Sequence, residues 1–468
     1  MIYSKSEIVD QFTPLSIYHK VEEFFSSEKI FLLESAVNND DGNFSYTMVG
    51  ALEEIWHKNG KSYYKDGDNE PIEVDANPLA FLKKRYKELD KKSYLSISQE
   101  LKVDFVDGFV GYIGYDMVKE FEPVLKAKMN SLKDETDIPD FYMMRPKVVV
   151  AFSHKTSRLT LISSNEEISK KFDSIFTSIK SSHDFIEIKK ATKKEDGKFS
   201  FSKEQFCDMV ECSKEMIRSG DVFQHLISNR YRQKVNIDPF SFYRVLKSKN
   251  PSPYMYLLDL KDFQIVGSSP EVMVRLEGSN ILLRPIAGTR KRGATHAKDK
   301  EMEQEMLGDE KERAEHIMLV DLGRNDIGRV AKKGSVRVSD LMRVERYSHV
   351  MHMVSDVEGE LDSQYDMFDL FAATFTAGTM TGTPKIRAME LIAEFEGVKR
   401  SFYSGSIGYF GFNGNVNSAI TIRTAMIKDE EIILQAGAGV VADSKPELEY
   451  KEVRNKLGAL MSTVEELS

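Results

Sequence analysis

Four glutamates in the second half of the chain form two pairs with three-residue spacing, Glu312 with Glu315 and Glu449 with Glu452. On a helix, this spacing places both carboxylates of a pair on one face. If the two helices face each other, four carboxylates converge, and like charges gather in this way only around a bound cation. Ligation by oxygen atoms alone suits Mg²⁺. The pattern therefore predicts a magnesium site.

Two glycine-rich turns lie between the glutamate pairs, AGTMTGTPK at 377–385 and QAGAGVV at 435–441. Backbone N–H groups in such turns can hold an anion. Together with the glutamates, they predict binding of a small carboxylate chelated by Mg²⁺. The alternative is that each pair is a solvated helix face, which is the usual role of an E-x-x-E pattern. Glu452 with Lys456 also fits an ordinary i,i+4 surface ion pair.

Helix-capping patterns account for part of the same two segments. Asp309 precedes Glu312 by three residues, which is the spacing of a capping box. Ser444 and Glu447 fit a capping box in the second segment, with Pro446 in the first helical turn. Glu449 and Glu452 remain without a capping role.

Composition excludes several classes of protein. The net charge is −9, with the two signs interspersed along the 468 residues, which argues against nucleic acid as a partner. No apolar run is long enough to cross a membrane, and the N-terminal MIYSKSEIVDQ has no signal-peptide core. The only two cysteines, Cys207 and Cys212, do not match a zinc spacing and indicate a reducing compartment. We expect a soluble, cytoplasmic protein.

The pattern of apolar residues predicts many short strands joined by short turns rather than regular βαβ units. An amphipathic helix is expected at 204–219, ending at Gly220, followed by a long strand around 222–235. Further strands are expected at 263–267, 272–276, 281–286 and around 403–441, with helices at 299–327 and at the end of the chain. This predicts an α+β fold, a large two-subdomain sandwich of mainly antiparallel sheets with helices on the outside.

The charged segment DFIEIKKATKKEDGKFSFSK interrupts the apolar pattern at 184–203. Lysines, acidic residues and a glycine are typical of a solvated linker. We therefore predict an N-terminal region at 1–183, a linker at 184–203 and a catalytic domain at 204–468.

A series of motifs runs through the second half of the chain. They are SSPEVMVRL (268–276), LRPIAGTRKRG (283–293), DEKERAEHIMLVDLGRNDIGRV (309–330), VERYSHVMHMVSDVEGEL (344–361), TFTAGTMTGTPKIRAME (374–390), FYSGSIGYFGFNG (402–414), AITIRTA (419–425) and QAGAGVVADSKPELEYKEVRNK (435–456). This series resembles the chorismate-utilising enzymes, and among them the anthranilate synthase component I family. The resemblance is strong over about 200–465, and LLES at 32–35 extends it towards the N-terminus.

The resemblance implies a role for individual residues. Glu312, Glu315, Glu449 and Glu452 match the acids that bind Mg²⁺, which chelates the ring carboxylate of chorismate. Glu271 matches the general acid that helps the C4 hydroxyl group leave. The residues that match the chorismate pocket are Thr289, His352, Thr379, Tyr403, Arg423, Gly437, Gly439 and Lys456, with Arg423 and Tyr403 gripping the enolpyruvyl carboxylate and His352 placed near the final elimination. The alternatives are a core strand end for Glu271 and a structural role for His352.

Two positions bear on the choice of nucleophile. Relatives that add water carry a lysine base where this chain has Gln224, and an amide cannot act as a base. Aminodeoxychorismate synthases often carry a nucleophilic lysine where this chain has Ala287. Direct attack of ammonia at C2, followed by loss of the C4 hydroxyl and of pyruvate, gives anthranilate. Some aminodeoxychorismate synthases lack the lysine, so this alternative stays open.

The resemblance also implies two partners. FCDMVEC, which holds both cysteines, is predicted to be helical and has no glycine-flanked nucleophile. Ammonia is therefore expected from a separate glutaminase subunit in a hetero-oligomer. The LLES motif resembles a feedback site for tryptophan, with a predicted pocket formed by Glu34, Ser35, Pro253, Tyr254, Met255 and Tyr409.

Three hypotheses follow. The first is the large subunit of a Mg²⁺-dependent anthranilate synthase, at the first committed step of tryptophan biosynthesis and inhibited by tryptophan. The second is an aminodeoxychorismate synthase without the lysine, which belongs to folate synthesis. The third is a non-catalytic protein that binds chorismate or tryptophan.

Overall fold

The computed structural model describes residues 1–35, 43–181, 185–347 and 350–468. Its strands are β1 Tyr3–Ile8, β2 Ile30–Glu34, β3 Phe44–Lys58, β4 Lys61–Asp66, β5 Ile72–Val74, β6 Gly108–Ile113, β7 Phe141–Ser153, β8 Arg158–Ser163, β9 Thr192–Lys193, β10 Lys198–Phe199, β11 Gln224–Asn236, β12 Tyr254–Asp259, β13 Gln264–Ser269, β14 Val272–Glu277, β15 Asn280–Leu283, β16 Ile286–Lys291, β17 Arg337–Arg346, β18 Val350–Glu360, β19 Gly382–Thr383, β20 Ser406–Gly411, β21 Val416–Ile420, β22 Thr424–Lys428 and β23 Glu431–Val440.

The helices pack against these strands and contribute side chains to two hydrophobic cores. They are α1 Pro14–Phe24, α2 Pro78–Lys87, α3 Lys91–Leu101, α4 Val118–Phe121, α5 Lys126–Met129, α6 Glu166–Ser169, α7 Phe172–Lys180, α8 Lys203–Arg218, α9 Pro239–Lys249, α10 His296–Gly308, α11 Glu310–Gly328, α12 Met367–Thr374, α13 Lys385–Glu396 and α14 Pro446–Leu467. In the described part of the chain, none of them has the length and apolar character needed to span a membrane.

Antiparallel pairing joins the strands into two layers that meet at β3 and β7. The first layer runs in the order β1, β8, β7, β3, β2, β12, β13, β22, β23 and β11. The second continues from β7 through β6, β20, β21, β14 and β15 to β18, which also pairs with β16 and β17. The expected antiparallel α+β sandwich is confirmed.

Alternation of side chains along the first layer builds two cores. On β22, Met426 belongs to the core between the two layers, whereas Ala425 and Ile427 face the other way. Successive residues of a strand point to opposite faces, so the two sides of the layer bury different residues. The inner core also includes Ile407 and Ile420 of the second layer. Helices α8, α9 and α14 close the outer core.

The helix expected at 204–219 is confirmed as α8. A capping box joins Ser202 and Gln205 at its start, and Gly220, just after its end, adopts a φ of +85°. The strand that follows, β11, is central to the candidate site. Within the segment predicted as a linker, β9 and β10 pair with β11. Residue 184 lies outside the described residues, and the proposed division of the chain at 184–203 stays a prediction.

Two strand pairs connect distant parts of the chain. β2 pairs with β12, which brings Glu34 opposite Met255. β6 pairs with β20, which brings Val110 opposite Tyr409. The region before residue 184 therefore contributes strands to both layers of the sandwich.

Candidate active site

Glu271 lies in the short turn between β13 and β14, and its side chain is buried. The hydroxyl group of Thr379 donates a hydrogen bond to Glu271 Oε1 at 3.0 Å. Burial raises the pKa of Glu271 to about 8, although this hydrogen bond and the positive charges of Arg423 and Lys456 oppose the shift. The carboxyl group is therefore protonated at neutral pH and can deliver a proton to a leaving group.

His352 and Thr289 are opposite each other in the β16–β18 pair. Thr289 Oγ1 lies 3.0 Å from His352 Nδ1, and the Gly288 carbonyl oxygen lies 3.2 Å from the same nitrogen. Because a carbonyl oxygen only accepts, this contact assigns the proton to Nδ1 and leaves Nε2 with a lone pair. Burial lowers the pKa of His352 to about 4, so the ring is neutral.

Arg423 lies between β21 and β22 with a left-handed backbone, φ +52°. Its guanidinium group has no hydrogen bond or ion pair with another side chain among the described residues. Burial lowers its pKa, while Tyr403, Glu452 and Glu271 oppose this shift through their charges. A partly buried guanidinium group with no carboxylate hydrogen-bonded to it is suited to bind a ligand carboxylate in a bidentate manner.

Tyr403 is buried beside Gly437. A Cβ atom on Gly437 would lie 3.1 Å from the Tyr403 hydroxyl oxygen and 2.7 Å from the Ile227 carbonyl oxygen. Burial raises the pKa of Tyr403 to about 12, so its hydroxyl group keeps its proton. Any larger residue would place its Cβ atom against these two oxygen atoms, so only glycine fits at this position of β23.

Gln224 begins β11 and connects it to α11. Its Nε2 donates a hydrogen bond to Glu315 Oε1 at 2.7 Å, and its buried Oε1 has no partner in the described residues. A Cβ atom on Gly439 would lie 2.8 Å from Gln224 Nε2, so a larger residue there would displace the Gln224 amide. On α14, Lys456 donates to the Gly437 carbonyl oxygen at 3.0 Å and pairs with Glu452 at 2.6 Å.

The four glutamates lie on α11 and α14, as expected. Burial raises the pKa of Glu315 and of Glu449, and the charge of Glu452 raises both further. Glu312 pairs with Arg290 through one oxygen, while its Oε2 is buried without a hydrogen bond to any described residue. This orphaned oxygen and the mutual repulsion fit a cation held by carboxylates. Within the described ranges, however, no three or more His, Cys, Asp or Glu side chains lie close enough together to hold a metal ion.

The helix caps differ in part from expectation. Asp309 caps α11, accepting from the backbone N–H groups of Lys311 and Glu312. The expected Ser444 capping box is wrong, because the N-cap of α14 is Lys445 and Ser444 Oγ accepts from the Val441 N–H group. Ser444 also forms a hydrogen bond that lowers the pKa of Glu449, against the larger effect of burial.

All six residues predicted for tryptophan line one cavity between the two layers. They are Glu34, Ser35, Pro253, Tyr254, Met255 and Tyr409. The cleft is further lined by Phe44, Tyr46 and Ile407. The Glu34 carboxylate is already engaged, because Tyr243 donates to it at 2.7 Å and Lys247 forms an ion pair with it. The predicted cavity is therefore present, and the charge of Glu34 is balanced by Lys247 on α9.

The sequence-based predictions did not include three charged residues of these sites. Arg290 holds Glu312, Lys247 holds Glu34, and Arg400 lies buried beneath Tyr403. The i,i+4 spacing of Tyr243 and Lys247 on α9 places them on one helix face and was a usable signal. Arg400 has the same spacing from its ion-pair partner Glu396, but its two carbonyl partners come from distant segments and left no local signal.

Comparisons with known proteins show which family the chain resembles. The family of chorismate binding enzymes matches residues 29–462. Anthranilate synthase component 1 from Aquifex aeolicus is 43% identical, covering 98% of this chain and 93% of that protein. The same component from Acetivibrio thermocellus is 40% identical, covering 98% and 94%.

Solved structures extend the likeness to three dimensions. The crystal structure of anthranilate synthase component I from Streptococcus pneumoniae has a TM-score of 0.79 and 34% identity, covering 91% of this chain and 93% of that one. The menaquinone-specific isochorismate synthase from Escherichia coli has a TM-score of 0.73 at 16% identity, covering 99% and 95%, and shares the fold. With matches over nearly its whole length, this chain belongs to the chorismate binding enzyme family, in which its relatives at about 40% identity are anthranilate synthase large components.

Proposed function

We propose that this enzyme converts chorismate and ammonia into anthranilate, pyruvate and water. The observation that carries the proposal is the buried Glu271 carboxyl group, held protonated by its surroundings and hydrogen-bonded to Thr379. It lies in the field of Arg423, which has no carboxylate partner among the described side chains. An acid poised to protonate a leaving hydroxyl group, next to a cation for a carboxylate, is what the reaction requires.

The residues act in two stages. Ammonia forms a bond to C2 while Glu271 protonates the departing C4 hydroxyl group, which leaves as water. In the second stage His352 Nε2 accepts the C2 proton, and the bond between C3 and the enolpyruvyl oxygen breaks to release pyruvate. Arg423 and Tyr403 hold the enolpyruvyl carboxylate throughout. Aromatisation of the ring drives the second stage.

Glu312, Glu315, Glu449 and Glu452 would hold Mg²⁺. The bound ion would supply positive charge that orients and neutralises the ring carboxylate of chorismate. The raised pKa values of Glu315 and Glu449 support this assignment, since a cation removes the repulsion that contributes to them. Lys456 adds a further positive charge next to the Gly437 backbone.

Gln224 supports ammonia rather than water as the nucleophile. Its amide cannot take a proton from water, and its Nε2 is committed to Glu315. Ala287, on β16, offers no amine for a covalent route. An aminodeoxychorismate synthase remains the second candidate, because some such enzymes lack that lysine.

Ammonia is proposed to come from a separate glutaminase subunit in a hetero-oligomer. The two cysteines of this chain lie on α8, Cys212 exposed and Cys207 partly exposed, and both are unpaired. Burial raises the pKa of Cys207, which disfavours the reactive thiolate. Unpaired thiols and interspersed charge support a cytoplasmic location.

We further propose tryptophan as the ligand of the cavity beside β2. Pro253, Met255 and the aromatic walls suit an indole ring. Tyr409 lies on β20, which continues from the loop that carries Tyr403, so a ligand there could bias the active site. Such a bias is limited by the difference in ligand affinity between the two arrangements.

A product assay tests the proposal. The purified chain is incubated with chorismate, Mg²⁺ and ammonium, and anthranilate fluorescence and pyruvate are followed together. Equal amounts of the two are expected. Accumulated aminodeoxychorismate without pyruvate would establish the second candidate, and unchanged chorismate would refute both. Glu271→Gln should abolish turnover, whereas the exposed Glu277→Gln on β14 is the matched control.

A further inference from the structure

Arg400 is one of the largest fully buried side chains in the described part of the protein, with 1% exposure. Its charge is balanced by Glu396 on α13, to which it donates two hydrogen bonds of 2.8 and 2.6 Å. A buried charge requires such a partner, because desolvation is costly. This ion pair accounts for one edge of the guanidinium group.

The remaining N–H groups of Arg400 reach two separate segments of the site. One donates to the Met380 carbonyl oxygen at 2.8 Å, in the 3₁₀ turn 378–380 that also carries Thr379. The other donates to the Leu226 carbonyl oxygen at 3.0 Å, on β11 two residues after Gln224. A single planar group therefore bridges these two segments, beside the backbone hydrogen bond from the Leu226 N–H group to the Thr381 carbonyl oxygen.

The face of the same guanidinium group lies over two aromatic rings. Its central carbon is 4.9 Å from the Tyr115 ring centroid and 5.7 Å from that of Tyr403. Three of the segments that Arg400 contacts hold a proposed site residue, namely Thr379 in the turn, Gln224 on β11 and Tyr403 itself. Lysine has neither the fork nor the flat face needed to reproduce these contacts.

We infer that Arg400 is a positioning residue for the reaction, which fixes the turn 378–380 so that the Thr379 hydroxyl group stays hydrogen-bonded to Glu271. The inference rests on the proposed function, in which Glu271 supplies a proton. The Thr379 hydrogen bond opposes the large effect of burial on the Glu271 pKa. If the turn moves, that opposition is lost, and the pKa of Glu271 rises.

The test compares Arg400→Lys with the wild type across a pH series. The kcat should fall about tenfold to a hundredfold, which corresponds to one or two charge-assisted hydrogen bonds. The decline of activity on the alkaline side should move to higher pH. Thr379→Val should move it in the same direction, and the double variant should move it no further than the larger single shift.

Arg145→Lys is the matched control, because Arg145 is mostly buried and pairs with Asp107 and Glu53 outside these segments. It should lower stability and leave the pH profile unchanged. If Arg400→Lys does not fold, Glu396→Gln loosens the same guanidinium group and should give a smaller shift in the same direction.

A folded Arg400→Lys with the wild-type kcat and pH profile would overturn the inference, as would an equal shift in Arg145→Lys. Carbon-13 NMR of the Glu271 carboxyl group, assigned by its loss in Glu271→Gln, follows the same titration without turnover. A wild type that makes no anthranilate would refute the proposed function, whereas an unshifted titration in Arg400→Lys would refute this inference alone.

Discussion

The candidate active site and the cavity beside β2 differ in whether their charged groups have partners within the protein. In the active site, carboxylates on α11 and α14 repel one another, and Arg423 has no carboxylate partner in the described residues. In the cavity, Glu34 already has Lys247 and Tyr243 as partners. The first site is electrostatically incomplete without ligands, and the acid of the second is satisfied by the protein itself.

The two sites therefore differ in how a bound ligand can stabilise them. Ions and carboxylates that enter the active site remove existing repulsion and supply a missing counter-charge, so binding there should depend on both ligands together. A ligand of the cavity gains little from Glu34 and is expected to bind through the fit of its apolar and aromatic walls. Substitutions in the two sites should therefore separate activity from stability.

The largest effect is expected for Glu449→Ala. Turnover should fall by a hundredfold or more, about 3 kcal/mol at 1.4 kcal/mol per factor of ten, because the metal site loses a ligand. The free energy of unfolding without Mg²⁺ should stay the same or rise, since one of the repelling carboxylates is gone. Steady-state kinetics and urea unfolding check both points.

Glu447→Ala, two residues away and on the exposed side of α14, is the control for this variant. It should retain both activity and stability. Full activity in Glu449→Ala would remove this residue from the proposed metal site.

The pH dependence of turnover should follow Glu271. Its pKa is raised to about 8, mainly by burial, so the protonated acid is present below that value and is lost as the pH rises through it. Activity should decline above about pH 8. For stability the sign is the same, because a carboxyl group with a raised folded pKa stabilises the protein below its unfolded pKa and loses this contribution as the pH rises through about 8.

Glu271→Gln removes the titrating carboxyl group and so tests its pH-dependent contribution to the free energy of unfolding. The variant should be inactive, and the extra loss of stability that the wild type shows between pH 4.5, the ordinary pKa of a glutamate, and about pH 8 should be absent from it. Parallel unfolding curves of the two proteins over that range would show that Glu271 does not titrate as described.

Glu34→Gln should lower stability and leave turnover nearly unchanged, which is the reverse of the effect expected for Glu449→Ala. Loss of Glu34 leaves the Lys247 ammonium group without its carboxylate, so the free energy of unfolding should fall by about 1–3 kcal/mol. Turnover without tryptophan should stay within about twofold of wild type, because Glu34 belongs to the cavity and not to the active site. An inactive but fully stable variant would contradict the assignment of Glu34 to the cavity alone.

The smallest effect on uninhibited turnover is expected for Ser35→Arg. The larger side chain should fill the cavity lined by Ser35, Met255 and Tyr409 and abolish inhibition by tryptophan. Inhibition curves for the variant and the wild type check this. Unchanged inhibition would place the regulatory site elsewhere.

Local patterns in the sequence predicted local features well. α8, the two helices between 296 and 328 and the final helix follow from apolar periodicity and caps. The lining of the cavity by Glu34 and Tyr409 was expected from the family resemblance, and the structure brings both residues to one cleft. The antiparallel sandwich followed from the short turns between strands.

Features that depend on distant partners could not be predicted in this way. The pairing of β6 with β20 joins residues about 300 positions apart, and no local periodicity encodes that choice. Lys445 rather than Ser444 became the N-cap of α14, because Ser444 accepts from Val441 instead. The i,i+4 spacing of Glu396 and Arg400 is a local signal, but the contacts of Arg400 with the Met380 and Leu226 carbonyl oxygens cross distant segments and could not be predicted.

Calorimetric titration of chorismate into the protein, with and without Mg²⁺, tests most directly whether the active site is completed by its ligands. The account predicts that saturating Mg²⁺ tightens chorismate binding by at least about tenfold, or about 1.4 kcal/mol, and that saturating chorismate tightens Mg²⁺ binding by the same factor. Equal chorismate affinity with and without Mg²⁺ would contradict a shared site on α11 and α14.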